Sequence, residues 1–251
     1  MEKKRYITFD KRLIEAFEKM GFKRKNQYAF VRTKNEALQS IGFTHSTHGE
    51  HFVKHYNVKL HVEFPKVNKV LTQLDYKNNT FDGFGINIGY LYEDRNFKEY
   101  RIADNDDDGT VESVINSMVS DMKNYGLSYF EKYSTIESAI TGMETGKITS
   151  TALWPKYSLP LFYLTNNQYD AALIHLTYNE QQIQNGYEKQ LAEIKELRNL
   201  HGVKDVIMPN DYDYKNYPIF ANKIRNFICN SKKSESEDSA VIKEEKNENS
   251  R

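Results

Sequence analysis

Four acidic side chains fall within six residues of one segment, DNDDDG, and such a cluster could hold a divalent cation. A calcium loop places oxygen ligands at positions 1, 3 and 5, a glycine at position 6 and a bidentate acid at position 12. The segment has the first four of these, but position 12 is Ile115, and the nearest acid lies at position 9. The candidate ligands for Ca²⁺ or Mg²⁺ are Asp104, Asp106, Asp108 and Glu112.

The same segment also has the composition of a turn that starts a helix. Asp and Gly favour turns, and an acid beside a helix N-terminus gains about 0.3–1 kcal/mol from the helix dipole. Asp108 or Thr110 would then be the N-cap of the helix that follows. We favour this second interpretation, so no cofactor is expected, and a divalent cation remains the alternative.

Five of the seven histidines lie between residues 45 and 61, a cluster that raises the question of a metal site. Residues 52–64 alternate between apolar and polar side chains, which predicts a strand with one buried face. On a strand His51 and His55 are about 13 Å apart, too far for one zinc ion. A hairpin tip at His48 would pair Ser46 with His51. We favour a polar outer face, with His51 and His55 as candidates for partner contact or pH sensing and metal binding as the further alternative.

The positive charge of the chain is concentrated near its N-terminus. Residues 1–34 hold eleven Lys and Arg against four acids, although the whole chain has zero net charge. Such a segment could meet phosphates, with Tyr28 and Phe30 stacking on bases. The alternative, which we favour, is that these Lys and Arg residues form an ordinary solvated surface and that the rings of Tyr28 and Phe30 lie in the core. The candidate binding residues are Lys23, Arg24, Lys25 and Arg32.

Several functional classes lack their signatures in this sequence. The single cysteine, Cys229, excludes intrachain disulfides and a zinc site built on several cysteines. The N-terminus has no apolar core of a signal peptide, and no apolar run approaches the roughly 20 residues of a membrane helix. We therefore expect a cytoplasmic protein. The sequence contains no P-loop, GxSxG or HExxH motif, and GxGxxxG at residue 83 lies within a strand pattern. These absences favour a non-enzymatic role.

The first half of the chain carries the pattern of an antiparallel sheet. A short amphipathic helix is predicted at 10–20, followed by a hairpin and by the strand at 52–64. A further strand is predicted at 84–92, with residues 98–102 as its partner. Its Gly85 and Gly89 would let a helix approach the sheet closely. Residues 27–103 should therefore form a meander of about five strands.

From Val111 the hydrophobic period changes to 3.6, which predicts helices. The first covers 111–125, and a capping box at Ser134–Glu137 starts the second. Further helices are predicted at 151–165, 169–185, 187–200 and 213–230, before a tail too polar to fold. The predicted fold is α+β, an N-terminal antiparallel sheet with covering helices followed by a C-terminal helical bundle. The predicted domains are 1–130 (sheet), 131–230 (helical) and 231–251 (disordered tail).

The opening Gly21-Phe22-Lys23-Arg24-Lys25 is followed by YAFVR at 28–32 and by IGF at 41–43. Over residues 10–65 this pattern resembles uncharacterised bacterial proteins that contain a domain of unknown function with a GFxRK opening. The resemblance implies an α+β fold and a bacterial cytoplasmic setting, and it brings no catalytic residues. The His-rich hairpin departs from that pattern.

The functional prediction is a non-enzymatic protein that binds another macromolecule, as a regulator or an immunity-type inhibitor. Strong scaffold patterns, missing catalytic motifs and a polarised charge distribution support a protein partner. The alternative is a nucleic-acid-binding or metal-dependent phosphodiester-processing protein that uses the basic N-terminal segment.

Overall fold

The chain divides into two compact units. The computed structural model describes residues 2–26, 28–47, 53–75, 81–148, 155–201 and 208–248. The first unit comprises Met1–Asn68 and Asn79–Trp154, and the second comprises Lys69–Asn78 and Pro155–Arg251. The first unit thus extends past residue 130, where the sequence led us to place the domain boundary.

An antiparallel sheet is the centre of the first unit. Within the described residues its strands follow the order β1-β2-β3-β4-β5, and β6 lies beside β5 along the same edge of β4. This arrangement is possible because β4 is long: its second half pairs with β5 and its first half with β6. The strands are β1 (Lys23–Asn26), β2 (Ala29–Lys34), β3 (Ala37–Ser46), β4 (Val53–Glu63), β5 (Gly83–Asn87) and β6 (Tyr100–Ala103).

The alternation of β4 is confirmed, because Val58, Leu60 and Val62 are fully buried while the residues between them are partly or fully exposed. Helices cover the apolar face of the sheet. The ring of Phe17 lies 5.2 Å from that of Phe30. Burial of such large aromatic side chains stabilises a fold by about 1.5–3 kcal/mol each.

A change to helical periodicity is predicted at residue 111, and the third helix begins close to it, at Asp108. A π-helical turn, Met122–Gly126, joins the third helix to the fourth, so that the chain stays helical from Asp108 to Lys132. A 3₁₀ turn, Ile88–Leu91, follows β5. The helices are α1 (Glu2–Lys19), α2 (Pro65–Gln73), which crosses the boundary between the units, α3 (Asp108–Asp121), α4 (Leu127–Lys132) and α5 (Ile136–Glu144).

The second unit is helical, with α6 (Pro155–Thr165), α7 (Tyr169–His201) and α8 (Tyr212–Glu248). Its core includes a triad of rings in which Tyr157 lies 5.1 Å from both Tyr217 and Phe220. The α+β prediction, a sheet with helices followed by a helical region, is confirmed.

The strand predicted at 84–92 ends early. β5 stops at Asn87 and the chain enters the 3₁₀ turn, because the Asn87 side chain accepts a hydrogen bond from the backbone N–H of Gly89 at 2.9 Å. Residues 100–103 pair with β4, and the predicted pairing with residues 84–92 is wrong. Gly89 is approached by the Asn96 carbonyl oxygen, and Gly85 by the His61 side chain, so neither glycine meets a helix.

Three local predictions are corrected by one to four residues. Ser46 pairs with His55, where His51 was expected. The N-cap of α3 is Asp107, whose Oδ1 accepts from the N–H of Thr110 at 2.7 Å. The capping box of α5 starts at Thr135, one residue after the predicted position, and its reciprocal partner is Ser138. At the N-termini of α3 and α5 the sequence has several adjacent residues that could cap the helix, and in the structure one of them does.

The C-terminal helices are longer than predicted. Residues 169–201 form one helix where we expected a break at Gly186, since a helix tolerates one interior glycine at a cost of about 1 kcal/mol. α8 continues to Glu248, through most of the segment expected to be disordered. That segment is rich in Lys and Glu, which favour helix.

Candidate ligand-binding cleft

The loop between β5 and β6 is held in place by the side chain of Asn87. Its Oδ1 accepts hydrogen bonds from the backbone N–H groups of Gly89 at 2.9 Å and Lys98 at 3.0 Å. Its Nδ2 donates to the carbonyl oxygen of Lys98 at 3.1 Å. A side chain on Gly89 would lie 2.2 Å from the Asn96 carbonyl oxygen, so the two ends of the loop meet only because this residue is glycine. The residues between them, 88–98, form one wall of a cleft.

The π-helical turn provides the opposite wall. Turns of this kind interrupt helices frequently at functional sites. Here a side chain on Gly126 would lie 2.7 Å from the sulfur of Met122 and 3.5 Å from Leu60, so the turn lies close against the sheet. The neighbouring Tyr125 is about two-fifths exposed, and its ring centre lies 4.5 Å from that of Tyr92 across the cleft.

A buried carboxylate ties the loop to the helix. Oδ2 of Asp121 accepts hydrogen bonds from Nζ of Lys98 at 2.6 Å and from the hydroxyl of Tyr100 at 2.5 Å. Nζ of Lys98 also donates to the hydroxyl of Tyr92 at 2.7 Å. One ammonium group therefore joins the loop tyrosine to the helix carboxylate and fixes the ring of Tyr92 in the cleft wall.

These contacts set the proton affinities of the cluster. Burial lowers the pKa of Lys98, but its hydrogen bonds to Asp121 and Tyr92 outweigh burial, and the net pKa lies above the ordinary value. Burial, reinforced by the hydrogen bond to Asp121, raises the pKa of Tyr100 far above its usual range. Burial likewise raises the pKa of Tyr92. The cluster thus keeps its lysine charged and its tyrosines neutral well above neutral pH.

The cleft between these walls has a volume of about 740 Å³, within the range of sites that bind a ligand or a peptide segment. Three cations surround it, Arg95, Lys132 and Lys147, with Glu93 as the acid. None of these three forms an ion pair in the described part of the chain. The other lining residues are Ile86, Tyr90, Leu91, Tyr92, Asn124, Tyr125, Ser128, Tyr129, Tyr133 and Gly146.

Tyr129 is one of the residues that line this cleft, and its hydroxyl group is the feature of interest. It is buried, and it makes no hydrogen bond within the residues that the structure describes. Burial raises the pKa of Tyr129 above its usual range, so the hydroxyl keeps its proton. The ring is held at its edges by Phe84 and Tyr133, with ring centres 6.4 Å and 5.2 Å away. A buried donor without a partner carries a cost that a bound acceptor would remove.

The basic residues predicted from the sequence divide into two groups. Lys23, Arg24 and Lys25 are exposed on β1, the edge strand of the sheet. Arg32 is different, because its guanidinium lies 4.4 Å from the ring centre of Phe22 and donates to Gln39 Oε1 at 2.7 Å. Burial lowers the pKa of Arg32, and its contacts are those of a residue that holds the fold together.

The predicted histidine pair is only partly covered by the structure. His51 lies outside the described residues. His55 lies on β4, where its Nδ1 is 3.9 Å from a carboxylate oxygen of Glu99. It is partly buried and is not part of the cleft.

The acidic segment serves local structure. Asp106 Oδ2 accepts from the N–H of Ala103 at 2.7 Å, and Asp108 is the first residue of α3. Glu112 forms an ion pair with Arg12 at 3.2 Å, and Asp104 is the first residue of the turn after β6. No three His, Cys, Asp or Glu side chains in the described ranges are grouped so as to hold a metal ion. The expectation of no cofactor, with a divalent cation at this segment as the alternative, stays a prediction.

The sequence contained one signal for the cluster that was missed. Asp121 lies three residues after Met118 and four before Tyr125, which places an acid in the apolar stripe of the helix. A buried acid needs a partner, so such a position marks an unseen contact. Lys98 and Tyr92 carried no comparable signal, because their loop was read as strand.

Comparison with known proteins gives a match to one family model and no function. Residues 13–132 match the family described as Domain of unknown function (DUF4304). This match, slightly less than half of the 251 residues, confirms the resemblance to uncharacterised proteins. The matched region contains the strands, α3, α4 and the cleft residues up to Lys132. Neither a curated protein nor a solved structure matches the chain.

In the ranges that the structure describes, no helix has an apolar stretch long enough to cross a bilayer.

Proposed function

We propose that this protein binds an acidic segment of a partner protein in the tyrosine-lined cleft, and that binding is its function. The main observation behind the proposal is that Tyr129, whose buried hydroxyl lacks a protein partner among the described residues, lines the same cleft as Arg95, Lys132 and Lys147. Three cations without ion pairs attract an anionic ligand, and the hydroxyl supplies a buried donor for a carboxylate or carbonyl oxygen.

The aromatic residues around the cleft favour a polypeptide. Tyr and Arg are the residues most often found at the energetic centres of protein interfaces. Tyr90 and Phe97 stand beside the cleft, 40% and 51% exposed, with ring centres 6.5 Å apart. They extend the aromatic surface beyond the cleft volume, as expected for a segment that enters the cleft and continues across the surface.

The polar lining also distinguishes a peptide from a nucleic acid. Glu93 places a carboxylate among the cations, and this mixed lining suits a segment with a few separate acids better than a continuous run of phosphates. Asn124 and Ser128 offer both donors and acceptors, which suit the alternating N–H and C=O groups of a peptide backbone. An acidic peptide with an aromatic anchor fits this mixture better than a polyphosphate.

The proposal is tested with fluorescein-labelled peptides rich in Asp and Glu, each paired with its Asn and Gln counterpart, in fluorescence anisotropy. The charge-reversal pair Lys132→Glu with Lys147→Glu should weaken binding of acidic peptides at least about tenfold, because two attractive pairs become repulsive. The matched control is Lys189→Glu with Lys195→Glu on α7, which makes the same charge change outside the cleft. Equal affinity for the charged and neutral peptides, or equal loss in the control, contradicts the proposal.

Tyr129→Phe distinguishes an effect on peptide affinity from an effect on the stability of the fold. Deleting a buried hydroxyl that has no partner should leave stability unchanged or raise it by about 1 kcal/mol. The same deletion should weaken the acidic peptide about two- to tenfold, the value of one hydrogen bond. If Tyr129→Phe instead lowers the denaturation midpoint, its hydroxyl is already bonded in the free protein and the site loses its central donor.

A further inference from the structure

A second feature, independent of the cleft, is a row of three aromatic rings across neighbouring strands. Tyr28 stands in the turn between β1 and β2, His45 on β3 and Tyr56 on β4. Ring centres are 6.1 Å apart from Tyr28 to His45 and 5.8 Å from His45 to Tyr56. Tyr28 is 47% exposed, His45 is exposed and Tyr56 is partly exposed.

The sheet fixes the order and spacing of these rings. His45 and Tyr56 are direct cross-strand partners, and the carbonyl oxygen of Tyr28 accepts from the N–H of Phe43 at 2.8 Å. Because side chains alternate along a strand, His45 lies on the same face as Phe43, which packs against Phe17 of α1. The row is therefore the solvent-exposed end of the face whose other part is covered by helix. Phe30, which the sequence offered as a second stacking residue, is buried in that covered part.

Cations adjoin the row at one end. Tyr28 belongs to the tight turn that follows β1, whose Lys23, Arg24 and Lys25 are exposed. Arg24 donates from Nε to the carbonyl oxygen of Asn26, which holds its guanidinium beside the turn at 3.1 Å. The acid Glu63 lies 3.1 Å from Nδ1 of His61, and Lys25 of β1 also interacts with it electrostatically. Arg24 is therefore the cation of β1 that lies beside the turn of the first ring.

We propose that the row Tyr28–His45–Tyr56, with the basic strand β1, is a binding site for single-stranded nucleic acid. Proteins that bind single strands combine aromatic rings, on which successive bases stack, with cations that follow the phosphates. The row supplies three rings in fixed sequence, Arg24 lies beside the turn of the first ring, and Lys23 and Lys25 are exposed on the same strand. A duplex keeps its bases stacked on one another, so this site selects a single strand.

The chemistry of the row differs from that of the cleft. Stacking uses the faces of the rings and tolerates any base, so weak sequence preference is expected. Phosphate contacts by exposed Lys and Arg release counterions, and affinity then falls with salt. Neither property requires the acidic-peptide site, so the two sites can be tested separately.

The test uses labelled oligo(dT) and oligo(U) of about 15 nucleotides, near the upper end of the site size for one stacking platform. Anisotropy is measured between about 50 and 200 mM salt with the full-length protein and a matched duplex as competitor. Tyr28→Ala should weaken binding about 5- to 140-fold, and Tyr28→Phe should retain it because the ring remains. Tyr178→Ala, which removes a 59% exposed tyrosine on α7, is the control.

The cations are tested by the triple substitution of Lys23, Arg24 and Lys25 with Gln. The slope of log affinity against log salt should become shallower by up to about 2, since each phosphate contact contributes about 0.7 for a single strand. Circular dichroism confirms that each variant is folded. The proposal is overturned by no single-strand binding at the lower salt, by equal affinity for the duplex, or by Tyr28→Ala and Tyr178→Ala having the same effect. The proposal is also overturned if Tyr28→Ala and the triple substitution weaken acidic-peptide binding and leave oligonucleotide binding unchanged.

Discussion

Replacing Asp121 with Asn tests whether the buried carboxylate holds the cleft together. The substitution keeps the shape of the side chain and removes its charge. In the native protein one oxygen accepts from both Lys98 and Tyr100. The amide of Asn offers one acceptor oxygen and two donors, so at least one of these contacts is lost or becomes neutral.

The expected cost follows from the burial of the two donors. A hydrogen bond to a charged group contributes about 1.5–3 kcal/mol. Tyr100 is buried, so its contact takes a value in the middle of that range. The Lys98 side chain remains 28% exposed, and solvent screening reduces its contribution to about 1 kcal/mol. Together these values predict that Asp121→Asn lowers the free energy of unfolding by about 3 kcal/mol, a large part of the 5–15 kcal/mol typical of a domain.

Urea denaturation followed by circular dichroism measures this change. A double-mutant cycle with Lys98→Met isolates the pair, and a coupling energy of about 1 kcal/mol is expected. The pH dependence gives a second readout. Lys98 and Tyr100 have folded pKa values above their unfolded values of about 10.4 and 10. The folded state therefore holds these protons more tightly, and its stability is complete below about pH 10 and falls as the pH rises further.

The reasoning fails if Asp121→Asn changes stability by less than about 0.5 kcal/mol, the range of ordinary surface substitutions. It also fails if the wild type shows no steeper loss of stability above about pH 10 than Asp121→Asn does. Either result would mean that Lys98 and Tyr100 are satisfied by solvent and that the carboxylate does not fix the loop.

Three further substitutions test the architecture around the two sites by urea denaturation. Gly89→Ala should destabilise the protein by about 2–4 kcal/mol, because the Cβ of the new alanine would meet backbone atoms. Gly186→Ala, which has open space around it on α7, should stabilise the protein by up to about 1 kcal/mol. Equal effects of the two substitutions would refute the close approach at Gly89. Arg32→Lys should cost about 1–2 kcal/mol through lost stacking on Phe22, with oligonucleotide affinity unchanged; a change in affinity alone would make Arg32 a binding residue. Thr135→Ala should cost about 1 kcal/mol through the lost cap of α5, and no change would mean that the capping box is dispensable.

The sheet and the first helices follow from periodicity because one face of each is buried. In β4 the period-two pattern identified Val58, Leu60 and Val62 as buried, although Val53 is buried as well. The helix from Val111 follows the 3.6 period with equal clarity. These patterns report only whether a side chain is inside. They do not report which strand lies alongside, and the pairing of β6 with β4 was therefore assigned wrongly.

For the candidate binding residues of the basic segment, the sequence likewise does not show which side chains are exposed. Lys23 and Arg32 look equivalent in the sequence, as cations beside aromatic residues. The structure exposes the first on β1 and buries much of the second between Phe22 and Phe130. Only the position of the helix that carries Phe130 distinguishes them, and that position depends on contacts between residues about one hundred positions apart.

The cleft arises where local chemistry overrides the period of the strand. Alternation continues through Tyr90 and Tyr92, so the pattern alone keeps both in β5 with their rings in the core. Asn87 ends the strand because its amide satisfies three backbone groups that would otherwise belong to a ladder. The same tyrosines then become walls of a cleft, with Lys98 and Asp121 as the tie to the helix. A residue such as Asn87, whose side chain can hydrogen-bond to nearby backbone groups, can end a strand inside an alternating pattern. Functional sites often lie at such positions, because local and global structural preferences disagree there.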